Sequence, residues 1–328
     1  MFQVINRKIS KVEKRIEELI KDSERNEKIY SAILYHFTAG GKRIRPLLSL
    51  IISDIVDYGN TEEEEYNLIT SASCVEILHG ASLMLDDVID NSDTRRGKPS
   101  VNALFGNKVA VISASFLLGV ISDELAKIGN LELVRAFSHT AKVMAEGEVI
   151  ELNLMINNIH PNTIDRELFK KLYFEVIDKK TASLFSLSSS IPLILKGNST
   201  ELKYVFSEFG RYFGNIFQIR DDILDFISDK TGKPKMNDVK EGKITLPVIL
   251  SDNFQRIIEI MKEEKELSDG ALDFILELVI SGNGIERAEE ELNKIYEKTL
   301  TIFRSINAPE NKIKDLFQLL ELSKKRLA

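Results

Sequence analysis

Apolar residues recur along most of the chain at intervals of three or four, the spacing of an amphipathic α-helix. In the first segment, for example, Ile9, Val12, Ile16, Leu19 and Ile20 follow it. The same spacing predicts helices over residues 8–24, 45–57, 66–89, 101–126, 131–158, 165–190, 201–226, 243–262, 268–280, 284–304 and 310–327. Alternating strand patterns are scarce. We therefore expect an all-α bundle of about ten or more helices.

The predicted helices follow one another without a linker. The 328 residues include only seven prolines and no Gly/Ser-rich stretch. We expect one domain over residues 1–328, with residues 1–36 packed on it as an N-terminal helical segment. With 43% hydrophobic residues, the chain can build a large core.

The composition of the chain limits the expected cellular location of the protein and the partners that it binds. The net charge of -7 does not suggest a nucleic-acid partner. The single cysteine, Cys74, cannot form an internal disulfide, which fits a cytoplasmic location, and we expect it to be a small buried residue. The N-terminus lacks the apolar core of a secretory signal. The longest uncharged apolar run in the first half, residues 109–122, is too short to cross a bilayer of ~30 Å, so an integral membrane protein is not expected.

Two acidic clusters carry the candidate chemistry. Residues 86–90 read DDVID and residues 221–225 read DDILD. Positions i and i+4 share a helix face, so Asp86 lies beside Asp90, and Asp221 beside Asp225. Crowded carboxylates repel one another, and Mg²⁺ is the natural counterion for clustered hard oxygen ligands, with sites left for substrate phosphates. The clusters therefore predict two walls of a metal–diphosphate site.

Basic residues accompany both clusters. Each cluster ends a predicted helix, which places it at the rim of the bundle. Residues 95–97 read RRG and follow the first cluster, and Lys230, Lys233 and Lys243 follow the second. Upstream of both clusters, residues 40–46 read GGKRIRP. Arginine forks bind phosphate oxygens bidentately, and glycine lets a backbone approach a ligand closely. This arrangement predicts two diphosphates, one held through metal and one by cations.

Other interpretations of these residues are weaker. A single acidic cluster could be a solvated helix face, but two copies after apolar helices argue against that. An EF-hand starting at Asp86 fails because Gly97 stands where the bidentate Glu belongs. The chain has no Walker A or GxSxG motif. With four scattered histidines and one cysteine, a zinc site is disfavoured. For His79, two turns before the first cluster, a structural and a functional role both stay open.

The ordered set of motifs resembles the trans-isoprenyl diphosphate synthases, or polyprenyl synthetases, from about residue 37 to the C-terminus. After GGKRIRP and the first cluster come EGE at 146–148, KT at 180–181 and FQ at 217–218. The second cluster and EGKITLP at 241–247 complete the set. Each motif alone is weak, whereas the ordered series is specific. Three positions depart from the family pattern: Leu85 where many relatives have His, Ser115 where Asp is frequent, and Met236 where Gly is common.

The resemblance implies a Mg²⁺-dependent, head-to-tail condensation of isopentenyl diphosphate with an allylic prenyl diphosphate, with three ions when substrate is bound. The metal ligands would be Asp86, Asp90 and Asp221, supported by Asp87, Asp222 and Asp225. Arg95, Lys180, Lys233 and Lys243 would hold the allylic diphosphate. Isopentenyl diphosphate would bind Lys42, Arg45, His79 and Arg96. Thr181 and Gln218 would stabilise the allylic cation through their oxygen dipoles. The resemblance also implies that the bundle surrounds a central apolar tunnel. It further implies a homodimer, for which apolar faces in 101–126 and 131–156 are candidates.

Small residues precede the first cluster where short-chain relatives place a bulky aromatic. These are Ala81 and Ser82, followed one turn further from the rim by Leu78, Ile77 and Cys74. We therefore expect an all-trans product of C30 or longer, which can be delivered to membranes. If Phe116 or Met144 closes the path of the growing chain, the product would stop at C20 or C25, and this length stays an alternative. A catalytic subunit of a heteromer is a further alternative. A terpene cyclase is disfavoured by the second DDxxD and the GGKR run, and a silent subunit by the six retained aspartates.

Overall fold

The computed structural model describes residues 2–21, 25–159, 164–227, 236–263, 267–306 and 308–325. Nearly all of them are helical, which confirms the all-α fold. The chain divides into two compact units. Unit one comprises residues 1–141, 187–207 and 308–316, and unit two comprises residues 142–186, 208–307 and 317–328. A single domain and a central tunnel stay predictions.

Unit one contains the helices of the first third of the chain. They are α1 Phe2–Ile20, α2 Glu27–Thr38, α3 Ile44–Ile55, α4 Glu62–Ile89, α5 Val101–Phe105 and α6 Asn107–Ile128. α4 packs against α1, α3 and α6. Its N-terminus carries a capping box, in which the Thr61 side chain accepts from the Glu64 N–H and the Glu64 side chain accepts from the Thr61 N–H. α4 therefore begins at a defined residue and runs through the core of this unit, where Cys74 is fully buried, as expected.

Four helices have residues in both units. They are α7 Leu131–Leu154, α9 Ser183–Lys196, α10 Thr200–Phe226 and α16 Glu310–Lys325. The remaining helices belong to unit two: α8 Arg166–Ile177, α11 Asn237–Lys240, α12 Leu246–Leu250, α13 Phe254–Glu263, α14 Asp269–Ser281 and α15 Gly284–Ser305. Phe185, Phe209 and Phe213 are fully buried in the core of unit two.

Several predicted helices are interrupted. A continuous helix over 101–126 is wrong, because Gly106 takes φ 83 and separates α5 from α6. A continuous helix over 243–262 is also wrong, because Ser251 is extended and ends α12 before α13 begins. Over 165–190 the chain stays helical but passes through a π-helical segment, Asp178–Ala182. The described residues also include a small hairpin, β1 Thr94–Arg95 paired with β2 Lys98–Pro99, which the helical periodicity did not predict.

Two helices meet the length and composition of a membrane span. They are α4, whose most apolar window is 78% buried within the protein, and α6, whose window is 44% buried. The core helix of a soluble protein passes the same test, so this finding is weak evidence for a span.

Candidate functional site

The first aspartate cluster lies at the C-terminal end of α4. Asp86 and Asp87 belong to the last turn, and Asp90 follows the helix, donating its backbone N–H to the Asp86 carbonyl at 2.8 Å. This geometry confirms the predicted helix–loop junction and the one-turn relation of Asp86 to Asp90. The cluster belongs to unit one.

Asp87 is the buried member of this cluster, only 1% exposed. Arg95, on β1, donates from Nε to Asp87 Oδ1 at 2.7 Å. Asn102 donates its side-chain amide to the carbonyls of Asp87 and Ser92. Arg95 thereby ties the hairpin to the end of α4 and lies beside the acidic cluster that it follows in sequence.

Basic side chains surround the other candidate residues of unit one. Lys42 is exposed in the loop before α3, and Arg45 follows in the first turn of that helix. A Cβ added at Gly41 would lie 2.8 Å from Arg43 Nη1 and 3.2 Å from Arg96 Nη1, so both guanidinium groups reach this loop. The structure therefore brings Arg96 to the GGKRIRP segment, as the sequence hypothesis requires.

Two histidines lie among these arginines. Burial, with Arg96 and Arg95, lowers the pKa of His36 to about 3. Burial and the nearby Arg45 also hold the pKa of His79 well below its usual value. Both imidazoles are consequently neutral near pH 7, where each has one N–H to donate and adds no charge. Burial lowers the pKa of Arg45 to about 10, which leaves it charged.

The second aspartate cluster lies near the C-terminal end of α10, in unit two. Asp222 is 2% exposed and accepts from Tyr173 Oη at 2.6 Å and from Gln218 Nε2 at 2.8 Å. Thr181 Oγ1 in turn donates to Gln218 Oε1 at 2.8 Å. This chain of hydrogen bonds joins both proposed cation-stabilising residues to the acidic cluster.

Crowding and burial disfavour the charged form of these carboxylates. Burial, with a contribution from Asp221, raises the pKa of Asp222 to about 7. Burial also raises the pKa of Asp225, although Asp225 accepts backbone N–H groups from Asn237 and Asp238. The pKa of Asp238 lies well above its usual value because of burial and its acidic neighbours. A bound cation would offset this cost, so the donor set fits a hard divalent ion.

No preformed metal cage accompanies these carboxylates. Within the described ranges, no group of three or more His, Cys, Asp or Glu side chains is arranged to hold a metal ion. A metal bound here would therefore need oxygen ligands from substrate or water to complete its shell, as is usual for Mg²⁺.

Lys180 and Thr181 lie in the π-helical segment between α8 and α9. Lys180 forms ion pairs with Glu148, at 2.6 Å, and with Glu151, both on α7. At the start of the segment, Asp178 accepts from Arg211 Nη1 at 3.4 Å. Single π-helical turns occur frequently at functional sites. Here the turn carries Lys180 and Thr181, two of the residues to which the family resemblance gives catalytic roles.

Two glycines allow other helices to approach this π-helical segment closely. A Cβ at Gly147 would lie 2.8 Å from the Lys180 backbone nitrogen. A Cβ at Gly214 would lie 2.5 Å from the Cα of Ala182 and 3.0 Å from the Phe185 ring. Contacts this short exclude a side chain, so glycine is required at both positions.

Of the remaining predicted site residues, the structure describes Lys243 but not Lys233. Lys243 pairs with Glu241 at 2.8 Å, and its backbone N–H donates to the Asp238 carbonyl. Lys233 lies outside the described residues. Met236 takes φ 50, a left-handed conformation that favours glycine, which gives a physical reason for the glycine common at this position in the family.

Ala81 and Ser82 lie one turn before the first cluster on α4. Ala81 is 1% exposed, and Ser82 donates its hydroxyl to the His79 carbonyl at 2.9 Å. Below them, Leu78, Ile77 and Cys74 are buried. These contacts place small side chains at the predicted chain-length positions, whose role stays a prediction.

Several residues at these sites were not singled out from the sequence. They are His36, Arg43, Glu76, Glu151, Tyr173, Asp178 and Asp238. One signal was available for Glu76, because it is the only Asp, Glu, Lys or Arg between residues 66 and 85. Tyr173 had none, because a tyrosine on an amphipathic helix is usually a core residue.

The chain matches known proteins over most of its length. A family model described as polyprenyl synthetase matches residues 26–279. The chain is 34% identical over 271 residues to the octaprenyl diphosphate synthase of Escherichia coli (strain K12), which covers 79% of this chain and 80% of that protein.

Solved structures with the same fold include a decaprenyl diphosphate synthase from Rhodobacter capsulatus. Its TM-score is 0.85 at 26% identity, with 99% of this chain and 98% of that chain covered. A geranylgeranyl pyrophosphate synthase from Corynebacterium glutamicum, complexed with calcium and isoprenyl diphosphate, has a TM-score of 0.80 at 26% identity. The match covers 100% of this chain and 97% of that one.

Replacing Gly214 with alanine tests the close packing on the π-helical segment. The added methyl would overlap Ala182, so we expect the free energy of unfolding to fall by about 1–3 kcal/mol. Urea denaturation followed by circular dichroism measures this change.

Gly270→Ala is the matched control, because nothing lies within 4 Å of a Cβ at that helical position. It should leave stability unchanged or raise it by up to about 1 kcal/mol. Equal stability of the two variants would contradict the assignment of Gly214 as a close contact.

Proposed function

The chain belongs to the polyprenyl synthetase family, and on that premise we propose that it is a prenyltransferase. It condenses isopentenyl diphosphate head-to-tail with an allylic prenyl diphosphate and builds an all-trans polyprenyl diphosphate. The observation that carries the proposal is the family match over residues 26–279, which spans both aspartate clusters and the motifs from GGKRIRP to EGKITLP. The single polyprenyl synthetase domain belongs to the same proposal.

Two sets of basic residues bind the two diphosphates. In unit one, Lys42, Arg45, His79 and Arg96 bind isopentenyl diphosphate. Arginine forks pair with phosphate oxygens, and neutral His79 adds a hydrogen bond without increasing the repulsion among the arginines. Arg95, Lys180, Lys233 and Lys243 bind the allylic diphosphate.

The six aspartates would hold Mg²⁺, with three ions when substrate is bound. The ligands would be Asp86, Asp90 and Asp221, supported by Asp87, Asp222 and Asp225. Bound Mg²⁺ would neutralise charge on the allylic diphosphate and make it a better leaving group. The raised pKa values of Asp222 and Asp225 support a cation at this position.

Thr181 and Gln218 stabilise the allylic cation. Thr181 Oγ1 and Gln218 Oε1 lie 2.8 Å apart, so two partially negative oxygens come together. Thr181 is only 8% exposed, so water is largely excluded from its hydroxyl. Fixed dipoles in such surroundings act more strongly than in water. The departing diphosphate is the proton acceptor, and no protein base is assigned.

Elongation of farnesyl diphosphate by purified protein tests the proposed function. With isopentenyl diphosphate and Mg²⁺ we expect longer prenyl diphosphates, and EDTA should abolish them because the aspartates bind diphosphate through metal. Asp86→Asn and Asp221→Asn should each lower kcat by at least about a hundredfold, the scale of losing a group that stabilises transition-state charge.

Asp269→Asn, in the first turn of α14, is the control and should keep full activity. A hydrocarbon product would instead indicate a cyclase. Absence of diphosphate release would indicate a silent subunit, and elongation only after adding a partner chain would indicate a heteromeric synthase.

The product is a chain of C30 or longer. The small residues Ala81 and Ser82 support this length, as do relatives whose names denote eight and ten prenyl units. A C20–C25 product is the second candidate, supported by the similar fold of the geranylgeranyl synthase and by Phe116, half-buried on α6. A cytoplasmic location stays a prediction.

Ala81→Phe tests the assignment of product length. The ring would occupy space that a growing chain needs, so we expect the product distribution to shift towards fewer isoprene units. Chromatography of the dephosphorylated products measures the shift. Ala126→Phe, at an exposed position on α6, should leave it unchanged. An unaltered distribution in Ala81→Phe would show that Ala81 does not border the growing chain.

The protein is also proposed to be a homodimer. On α6, Val111 is 40% exposed, Ile112 54% and Leu118 40%, and residues 109–122 carry no charge. Contiguous exposed apolar residues of this kind are typical of interaction surfaces. This face supports a second copy as the occupant.

Light scattering after size exclusion tests the dimer. We expect a mass near twice the chain's 37.2 kDa, and a shift towards the single-chain mass for Ile112→Glu, which would bury a charge in the interface. Tyr204→Glu, at an exposed position on α10, should remain dimeric. A wild-type mass of one chain would overturn this part of the proposal.

A further inference from the structure

The loop before α3 has an unusual backbone. Gly40 takes φ 88, and Arg43, which precedes the first residue of α3, takes φ 48 and ψ 36. A residue with a side chain seldom adopts this left-handed conformation, and it persists where the surroundings over-determine it. The surroundings of Arg43 therefore show what fixes the loop.

The Arg43 side chain turns inward instead of towards solvent. It is 8% exposed, and Nη1 donates to Glu76 Oε1 at 2.8 Å. Nη2 donates to the Phe37 carbonyl at 3.1 Å, in the last turn of α2, where helix carbonyls lack intrahelical partners. Nε lies 3.8 Å from Glu13 on α1. One guanidinium thus ties the loop to α4, α2 and α1.

Glu76 is the buried partner of this contact. It is 4% exposed and lies in the middle of α4. Its charge also acts on Arg45 and Arg96, the guanidinium groups that are proposed to bind isopentenyl diphosphate. The carboxylate therefore holds the loop through Arg43 and offsets repulsion among the surrounding arginines.

Lys42 and Arg45 flank Arg43 in sequence and depend on the conformation that it fixes. We infer that Arg43 and Glu76 are positioning residues: their buried ion pair sets the loop at residues 40–43 so that Lys42 and Arg45 converge on one diphosphate. The inference rests on the proposed function and assigns both residues a role without contact to substrate.

Positioning and simple electrostatics predict opposite results for Glu76→Gln. Removing a negative charge beside a diphosphate would by itself strengthen binding, because it raises the net positive charge of the cluster. Releasing the loop would weaken binding, because Lys42 and Arg45 would no longer be held where both can reach one diphosphate. The direction of the change in KM for isopentenyl diphosphate separates the two.

Steady-state kinetics of chain elongation provides the test. For Glu76→Gln we expect KM for isopentenyl diphosphate to rise about tenfold, on the scale of a small misplacement of binding groups. The KM for the allylic diphosphate and kcat should stay within about twofold, because a positioning residue for one substrate leaves the other binding groups in place. Arg43→Lys keeps the charge but replaces the fork by a single ammonium, so KM should rise less.

The matched control is a second buried glutamate in the same unit. Glu124, on α6, is 4% exposed and pairs with Arg15 on α1 at 2.6 Å. Glu124→Gln also removes a buried charge from an arginine, but it does not touch the loop at residues 40–43. It should lower the melting temperature without changing either KM.

Each outcome decides the inference. An unchanged or lower KM for isopentenyl diphosphate in Glu76→Gln overturns it, as does an equal rise in Glu124→Gln, which would indicate general loosening. If Glu76→Gln does not fold, Arg43→Lys decides, since a raised KM supports the inference and an unchanged one overturns it. Absence of elongation by the wild type would instead remove the proposed function on which the inference rests.

Discussion

Like charges are crowded in each unit at places from which water is largely excluded, and the functional residues depend on how that repulsion is balanced. In unit one, the buried carboxylate of Glu76 interacts with Arg43, Arg45 and Arg96. In unit two, burial raises the pKa values of Asp222 and Asp225. Like charges interact strongly where the effective dielectric constant is low. A diphosphate on one cluster and a divalent cation on the other would relieve repulsion already present in the fold, which favours binding of both.

Neutral hydrogen-bonding groups also contact these charged residues without adding to the repulsion among them. Tyr173 and Gln218 donate to Asp222 without adding charge, and the lowered pKa values of His36 and His79 keep those imidazoles uncharged among arginines. Groups held by such networks lose little conformational freedom when a ligand binds. The π-helical segment is held in place in a similar way. Ion pairs, a hydrogen bond and two closely packed glycines fix Lys180 and Thr181.

Periodicity predicted the helices and the helix-end positions of both aspartate clusters, because these features depend on local spacing. It did not predict the break at Gly106, the extended Ser251 or the π-helical segment, because each depends on a backbone conformation that periodicity does not encode. The family motifs supplied most residues of the candidate site. Arg43 lay within a quoted motif, but its inward side chain could not be predicted, since its partner Glu76 is 33 residues away. Tyr173 and Asp238 likewise acquire their roles only through tertiary contacts.

Chain length is the property that these charged groups do not determine. The decaprenyl synthase and the geranylgeranyl synthase are each 26% identical to this chain and similar to it in fold, although their names denote different chain lengths. The shared fold alone therefore does not account for this difference, and for this chain we propose side-chain volume along the path of the product as the determinant. In this chain, the turn of α4 next to Asp86 offers Ala81 and Ser82, and the next turn offers larger apolar side chains, Leu78 and Ile77. If the product descends along α4 as proposed, each helical turn adds about 5.4 Å of depth, so a single substitution on this face would change the available depth by a discrete step. On this proposal, product length depends on the apolar residues of α4 and not on the charged residues that bind the diphosphates.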